Sequence, residues 1–228
     1  MTITLITGGN RGLGYETARQ LAAHGHDVWI GARSIADGEA AAESLGVRFV
    51  QLDVTDEVSV DRALARVGEV SGSLDVLVNN AGVISPATMD LSAMLPVFET
   101  NVFGVARVTE AALPLLKRSA APTVVAVSSS MGSFWAVTNS ERPESDVMLP
   151  LYSASKTAAT MLMVQYARLY PRIKFNAVEP GYTATDMTAP VGGGRPVEDG
   201  VRIIVRMATL DADGPSGTFQ EEAGVLRW

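Results

Sequence analysis

The sequence predicts a single α/β domain, a doubly wound parallel β-sheet with helices on both faces. Three observations predict it. Short β-rich runs alternate with longer helical patterns along the whole chain, which implies βαβ units rather than hairpins. The run Leu74–Val78 is short and, apart from Asp75, apolar, as expected of a strand covered by helices on both faces. A length of 228 residues suits one large domain with a core that needs no covalent staples.

The elements follow in order. Thr2–Thr7 reads as the first strand, followed by a glycine turn and a helix near Arg11–His24. Asp27–Ala32 is the second strand, Asp37–Leu45 its crossover helix and Val47–Leu52 the third strand. Asp56–Val70 carries Val60, Ala63, Leu64 and Val67 at helical spacing. After Leu74–Val78 a long helical stretch runs from Leu91 to Arg118, then a strand over Thr123–Ser128. Leu151–Leu169 reads as a helix, Ile173–Val178 as the sixth strand, Pro196–Leu210 as a helix and Gly217–Gln220 as a last edge strand. Right-handed crossovers make this a Rossmann-type sheet, with ligands at the C-terminal ends of its strands. Two stretches break the rhythm, 132–150 and 189–196; such loops act as substrate loops or lids, or are plain solvated insertions.

Composition excludes several classes. A 47% hydrophobic, 19% charged chain is globular rather than disordered. Without cysteine there is no disulfide scaffold, thiolate zinc site, iron–sulfur cluster or cysteine nucleophile. His24 and His26 are the only histidines, which rules out an HExxH metal helix, and no metal is expected. A net charge of −7 argues against a nucleic-acid partner and against adsorption to anionic membranes. With no signal-like N-terminus and no apolar run of membrane-spanning length, a soluble cytoplasmic protein is expected.

The chemistry begins in Thr7-Gly8-Gly9-Asn10-Arg11-Gly12-Leu13-Gly14, between the first strand and the first helix. Glycines there permit a tight turn and close approach of backbone to a pyrophosphate over the helix N-terminus. The spacing is G-x-x-x-G-x-G rather than G-x-G-x-x-G, and a bare glycine cluster also suits an ordinary turn. Four further motifs follow: Asp53-Val54, Asn79-Asn80-Ala81-Gly82, Tyr152-Ser153-Ala154-Ser155-Lys156 and Pro180-Gly181. In this order and spacing, over nearly the whole chain, they resemble the classical short-chain dehydrogenases/reductases, and most closely the carbonyl-reductase-like branch.

Tyr152 and Lys156, four apart on a helix, share one face. A free phenol titrates near pH 10. A neighbouring ammonium is expected to lower Tyr152 toward the range of a general acid for carbonyl reduction, or a general base for alcohol oxidation. Ser129, in Ser128-Ser129-Ser130, sits where a hydroxyl can polarise a substrate carbonyl, with Ser130 as the alternative. Strand two ends in Gly31-Ala32-Arg33-Ser34 with no acid before Asp37, so Arg33 and Arg11 are candidates to pair with a 2′-phosphate.

The resemblance implies a division of labour. Asn101, Ser129, Tyr152 and Lys156 are the implied catalytic set, Asn101 orienting a water that joins Lys156 to solvent. Lys156 is implied to hold the nicotinamide ribose as well as to tune Tyr152. NADP(H) is the implied cofactor, held by Gly8, Asn10, Arg11, Gly12, Leu13, Gly14 and Arg33, by Asp53 and Val54 at the adenine, and by Asn80, Ala81 and Gly82. Asn79 either shapes the same floor or ties neighbouring strands. Pro180, Gly181, Thr183 and Thr185 are implied at the carboxamide, although Thr183 replaces the family's usual branched apolar residue. The implied activity is hydride transfer between NADP(H) and a small-molecule carbonyl or secondary alcohol. The alternative is a sensor or scaffold that binds NADP(H) without turnover.

Ser129 and Tyr152 are 23 positions apart, longer than is common in the family, and the insertion falls at about 133–150. Phe134, Trp135 and a substrate loop at about 186–198 are expected to wall the pocket. Monomer and homo-oligomer both fit the pattern.

Overall fold

The computed structural model describes residues 1–84 and 89–228. The elements are β1 (Ile3–Thr7), α1 (Gly12–Ala23), β2 (Asp27–Ala32), α2 (Ile35–Leu45), β3 (Arg48–Gln51), α3 (Glu57–Ser71) and β4 (Val76–Asn79). Then come α4 (Leu91–Phe98), a π-helical turn at Glu99–Phe103, α5 (Gly104–Leu116), β5 (Thr123–Val127), α6 (Phe134–Thr138) and α7 (Pro150–Leu169). The chain continues with β6 (Lys174–Val178), α8 (Val197–Gly200), α9 (Arg202–Ala208), β7 (Thr218–Glu221) and β8 (Gly224–Val225). Among the described residues the strands form one sheet in the order β3-β2-β1-β4-β5-β6-β7-β8, parallel except for the β7–β8 pair.

Both faces of the sheet are apolar because helices cover both. Alternation along β1 shows it: Leu5 joins a core with Val60 and Val67 of α3, Val108 of α5 and Met163 of α7. Ile6 points the other way, to Ala18 and Leu21 of α1 and Ile203 and Ile204 of α9. Side chains that compete for the backbone start the helices. Ser34 accepts from Asp37 N (3.3 Å) ahead of α2, and Asp56 accepts from Val58 N (3.0 Å) ahead of α3. Pro150 opens α7 at a position where its missing N–H costs nothing.

The expected helical stretch 91–118 is continuous over 91–116, with α4 and α5 joined through a π turn that apolar periodicity does not report. The structure corrects the expected elements in three places. The stretch 196–210 breaks between α8 and α9. There Gly200 packs on Thr183 so closely that a Cβ would meet its hydroxyl at 2.6 Å. The stretch 132–150 is not irregular throughout, since it contains α6 and a 3-10 turn at Pro143–Asp146. The sheet's edge is β8, not β7; two residues of antiparallel strand leave no legible pattern. Among the described residues no helix is long and apolar enough to cross a membrane.

Candidate active site

Chain reversal between β1 and β4 leaves a crevice at the C-terminal ends of the strands, where sheets of this type bind ligands. The glycine loop forms one wall. Gly12 adopts φ 55°, a conformation other residues rarely hold. A Cβ on Gly14 would stand 2.4 Å from the Gly8 carbonyl oxygen, so only glycine lets α1 start this close to the turn. Thr7 and Asn80 hold the loop from beneath. Asn80 Nδ2 donates to the carbonyls of Thr7 (2.9 Å) and Gly8 (3.1 Å), and Thr7 Oγ1 accepts from the amides of Asn80 and Ala81, both at 3.0 Å. Asn79 is buried and donates to Thr109 Oγ1 at 3.0 Å, a tie between β4 and α5.

A cleft of about 890 Å³ opens beside this loop, lined by Asn10, Arg11, Tyr15, Arg33, Ser34 and Asp37 among others. Both arginines on it are exposed, and Arg11 makes a 3.5 Å ion pair with Asp186. Asp53 is half-buried and accepts from the amide (2.9 Å) and hydroxyl (2.7 Å) of Thr55. Val54 is buried against Gly104 of α5, with its carbonyl held by Arg107 Nη1 at 2.6 Å. A smaller cleft of about 370 Å³ brings Thr185, Asp186 and Thr188 over Gly12.

The other wall gathers Ser129, Tyr152 and Lys156. The three serines after β5 are sorted by their partners. Ser128 Oγ meets Thr160 Oγ1 (2.6 Å) and donates to the Lys156 carbonyl (3.2 Å), which anchors α7. The Ser130 side chain bonds Glu144 of the insertion. Ser129 is hydrogen-bonded to Tyr152. Lys156 is 5% exposed; its Nζ donates to the Val127 carbonyl (2.7 Å) and lies 5.7 Å from the centre of the Tyr152 ring. Gly82 faces this pair, and a Cβ there would fall 3.5 Å from Lys156 Nζ and 3.4 Å from Asn101 Oδ1.

Asn101 occupies the π turn and is 1% exposed. Its Oδ1 accepts from Val83 N (2.8 Å), while Nδ2 donates to Val83 O (2.8 Å) and Ser155 Oγ (3.0 Å). Ser155 Oγ in turn donates to the Tyr152 carbonyl at 2.7 Å. The side chain therefore fastens the start of α7 to the segment after β4.

One electrostatic expectation is corrected. The phenol of Tyr152 is pushed above its ordinary value, chiefly by burial and further by the charge of Glu179, while its bond to Ser129 pulls it back. The sequence did not anticipate Glu179, and the Lys156 ammonium donates to Val127 O with its charge 5.7 Å from the centre of the Tyr152 ring. Burial pushes Lys156 down to about 8, with Glu179 working against that shift. Glu179 itself is 7% exposed and is pushed up to about 7, mostly by burial and against the hydrogen bonds from Ser130 N and Gly181 N.

The turn after β6 completes the site. Thr183 is buried with its hydroxyl donating to the carbonyls of Gly181 (2.9 Å) and Pro180 (3.3 Å), whereas Thr185 is half-buried and faces Gly12. Arg195, another residue the motifs did not single out, donates to Pro180 O through Nε (3.0 Å) and Nη2 (2.6 Å) and pairs with Glu222. It thereby staples the 186–198 loop to the Pro180–Gly181 turn. In the insertion, the Trp135 ring lies between the guanidinium groups of Arg142 (5.4 Å) and Arg227 (5.3 Å), which makes it an anchor; Phe134, 70% exposed, is the ring left facing out.

The short chain dehydrogenase family matches residues 2–195. A short-chain dehydrogenase/reductase, ATR10, of Stachybotrys chlorohalonatus is 36% identical, with 98% of this chain and 89% of that protein covered. Carbonyl reductase [NADPH] 1 of Pongo abelii is 33% identical, covering 100% of this chain and 99% of that protein. Among solved structures, the NADPH-bound carbonyl reductase from chicken fatty liver superposes with a TM-score of 0.88 at 27% identity, covering the whole of both chains (100% each).

Proposed function

This chain belongs to the short-chain dehydrogenases, a family of oxidoreductases, and we propose that within it the protein is an NADP(H)-dependent carbonyl reductase or alcohol dehydrogenase. The observation that carries the reading is the convergence of Ser129, Tyr152 and Lys156 at the end of β5, opposite the glycine loop. Two relatives described as NADPH carbonyl reductases, matched over essentially their full length, support the cofactor and the substrate class.

The residues fit the cofactor. The cleft beside the glycine loop is lined by Arg11 and Arg33, whose planar guanidinium groups suit a 2′-phosphate. Gly8, Asn10, Gly12, Leu13 and Gly14 would leave the start of α1 open to the pyrophosphate. Asp53 and Val54 would face the adenine, Ala81 and Gly82 the ribose, and Pro180, Gly181, Thr183 and Thr185 the carboxamide. Bound there, the nicotinamide supplies or accepts the hydride.

In reduction, Ser129 donates a hydrogen bond to the carbonyl oxygen, and Tyr152 delivers its phenolic proton to that oxygen as charge develops. Lys156, fixed by Val127 O, places positive charge beside the resulting phenolate and stabilises it. Asn101 keeps Tyr152 in place through Ser155. The 186–198 loop and Phe134 border the substrate, an uncharged aldehyde, ketone or quinone.

The test is NADPH oxidation across aldehydes, ketones and quinones, with NADH as comparator and Tyr152→Phe alongside. Turnover that favours NADPH and falls roughly 10²–10⁴-fold in the variant supports the proposal. Tight NADPH binding with no turnover on any substrate would point instead to a redox sensor, and preference for NADH would remove the roles of Arg11 and Arg33.

A further inference from the structure

Glu179 is the buried carboxylate that the mechanism above leaves unused. It follows β6 and stands directly before Pro180-Gly181. Its Oε1 accepts from Gly181 N at 2.7 Å, and its Oε2 accepts from Ser130 N. One side chain therefore bridges the loop that carries Ser129 to the turn assigned to the carboxamide. A neutral glutamine has the same shape but only one acceptor oxygen, and its amide would face a backbone N–H. Two donated main-chain bonds thus require a carboxyl group here.

The charge has an audience as well. Lys156 and Tyr152 on α7 both feel it, whereas the other acids facing it, Glu144 in the insertion and Glu221 on β7, are each paired with Arg142 at 3.0 and 3.1 Å. Arg195 approaches the same turn but spends its guanidinium on Pro180 O and Glu222. Among the described residues Glu179 forms no salt bridge, so its charge reaches the Lys156 ammonium through space while its oxygens hold the two backbone amides. Burial works against both charges, lowering Lys156 to about 8 and raising Glu179 to about 7, and the charge of Glu179 offsets part of the burial of the Lys156 ammonium.

We propose that Glu179 is a positioning residue of this same site, tying the serine loop to the turn after β6 and supplying the negative charge against which the Lys156 ammonium is held. Its effect on turnover rests on the reductase reading; its electrostatic effect on Lys156 does not.

The chain has only three lysines, Lys117, Lys156 and Lys174, so [ε-¹³C]lysine labelling resolves Lys156 directly. In Glu179→Gln its titration midpoint is expected to fall by roughly one pH unit, with Lys117 and Lys174 unmoved. Glu179→Asp is expected to restore the midpoint. In turnover, kcat falls roughly tenfold in Glu179→Gln and recovers in Glu179→Asp, while KM for NADPH stays raised in both because the shorter acid does not span the two loops. In the wild-type chain, the Lys156 resonance should also register an inflection near pH 7 from Glu179, a readout that survives if Glu179→Gln does not fold. A wild-type titration with one inflection, or an unchanged Lys156 midpoint in Glu179→Gln, overturns the proposal whether or not the protein turns over substrate. The shifted midpoint in a chain that reduces no carbonyl would uphold the electrostatic effect on Lys156 and overturn the reductase reading instead.

Discussion

Gly132 lies against the backbone of Lys156: a Cβ on it would stand 2.8 Å from the Lys156 carbonyl carbon and from Thr157 N. Thr157 Oγ1 closes the same contact by donating to the Gly132 carbonyl at 2.9 Å. Gly132→Ala must therefore push α7, and with it Tyr152 and Lys156, away from Ser129. The expected outcome is a roughly 100-fold loss of kcat with NADPH affinity nearly unchanged, and a stability loss of about 1–3 kcal/mol from overpacking. Single-turnover kinetics, cofactor fluorescence and urea titration read the three quantities separately.

Arg11 is held by Asp186 across 3.5 Å in a pair whose side chains are 69% and 74% exposed, an interaction too solvated to contribute much. A 2′-phosphate is the stronger partner. Replacing Arg33 or Arg11 by Ala should raise KM for NADPH by roughly tenfold and leave that for NADH unaltered. Asp186→Asn should lower KM for NADPH by freeing Arg11. An equal effect of the arginine changes on both cofactors would contradict the assignment.

The two buried charges shape stability against pH with opposite signs. Glu179 moves from 4.5 to about 7 on folding, so between those values the folded chain binds more protons and stability falls as pH rises. Lys156 moves from 10.5 to about 8, so above 8 the unfolded chain binds more protons and stability rises with pH. These groups alone place a shallow minimum near pH 7–8. Glu179→Gln should flatten the acid side, which urea midpoints measured from pH 5 to 10 would reveal; an unchanged slope would mean that Glu179 does not titrate there.

Trp135 and Phe134 are neighbours with opposite duties. Trp135 packs against the core between two arginines, and its amide donates to Trp228 O at 2.9 Å. Trp135→Ala is expected to cost about 2–4 kcal/mol and to loosen the insertion together with the segment around Arg227. Phe134→Ala should leave the melting temperature within a degree or two and act, if the ring borders the substrate, on KM for the carbonyl. Thermal unfolding and steady-state kinetics on the pair separate anchor from wall.

The central strands and the glycine turn after β1 were legible because their signals are local. Apolar runs such as Thr123–Val127 and glycines such as Gly12 and Gly14 are demanded by geometry within a few residues. The spacing of Tyr152 and Lys156 is likewise a property of one helix. What stayed hidden depends on packing between distant segments. That Ser129 rather than Ser130 meets Tyr152 is decided by Glu144 taking the latter. Glu179 resembles any polar residue at a strand end until Ser130 N is brought to it. The upward displacement of Tyr152 has the same origin, since burial and a remote carboxylate cannot be read from the interval between two residues on α7.

The π turn at Glu99–Phe103 is one residue longer than an α-helix needs. Deleting a single codon within it would let α4 run straight into α5, giving a more regular and more stable helix. The same deletion would rotate the flanking positions by roughly 100° and carry Asn101 away from Val83 and Ser155. The irregular turn is thus a register device: the extra residue sets which face of the helix Asn101 occupies, and that register ties the start of α7 to the segment at Val83.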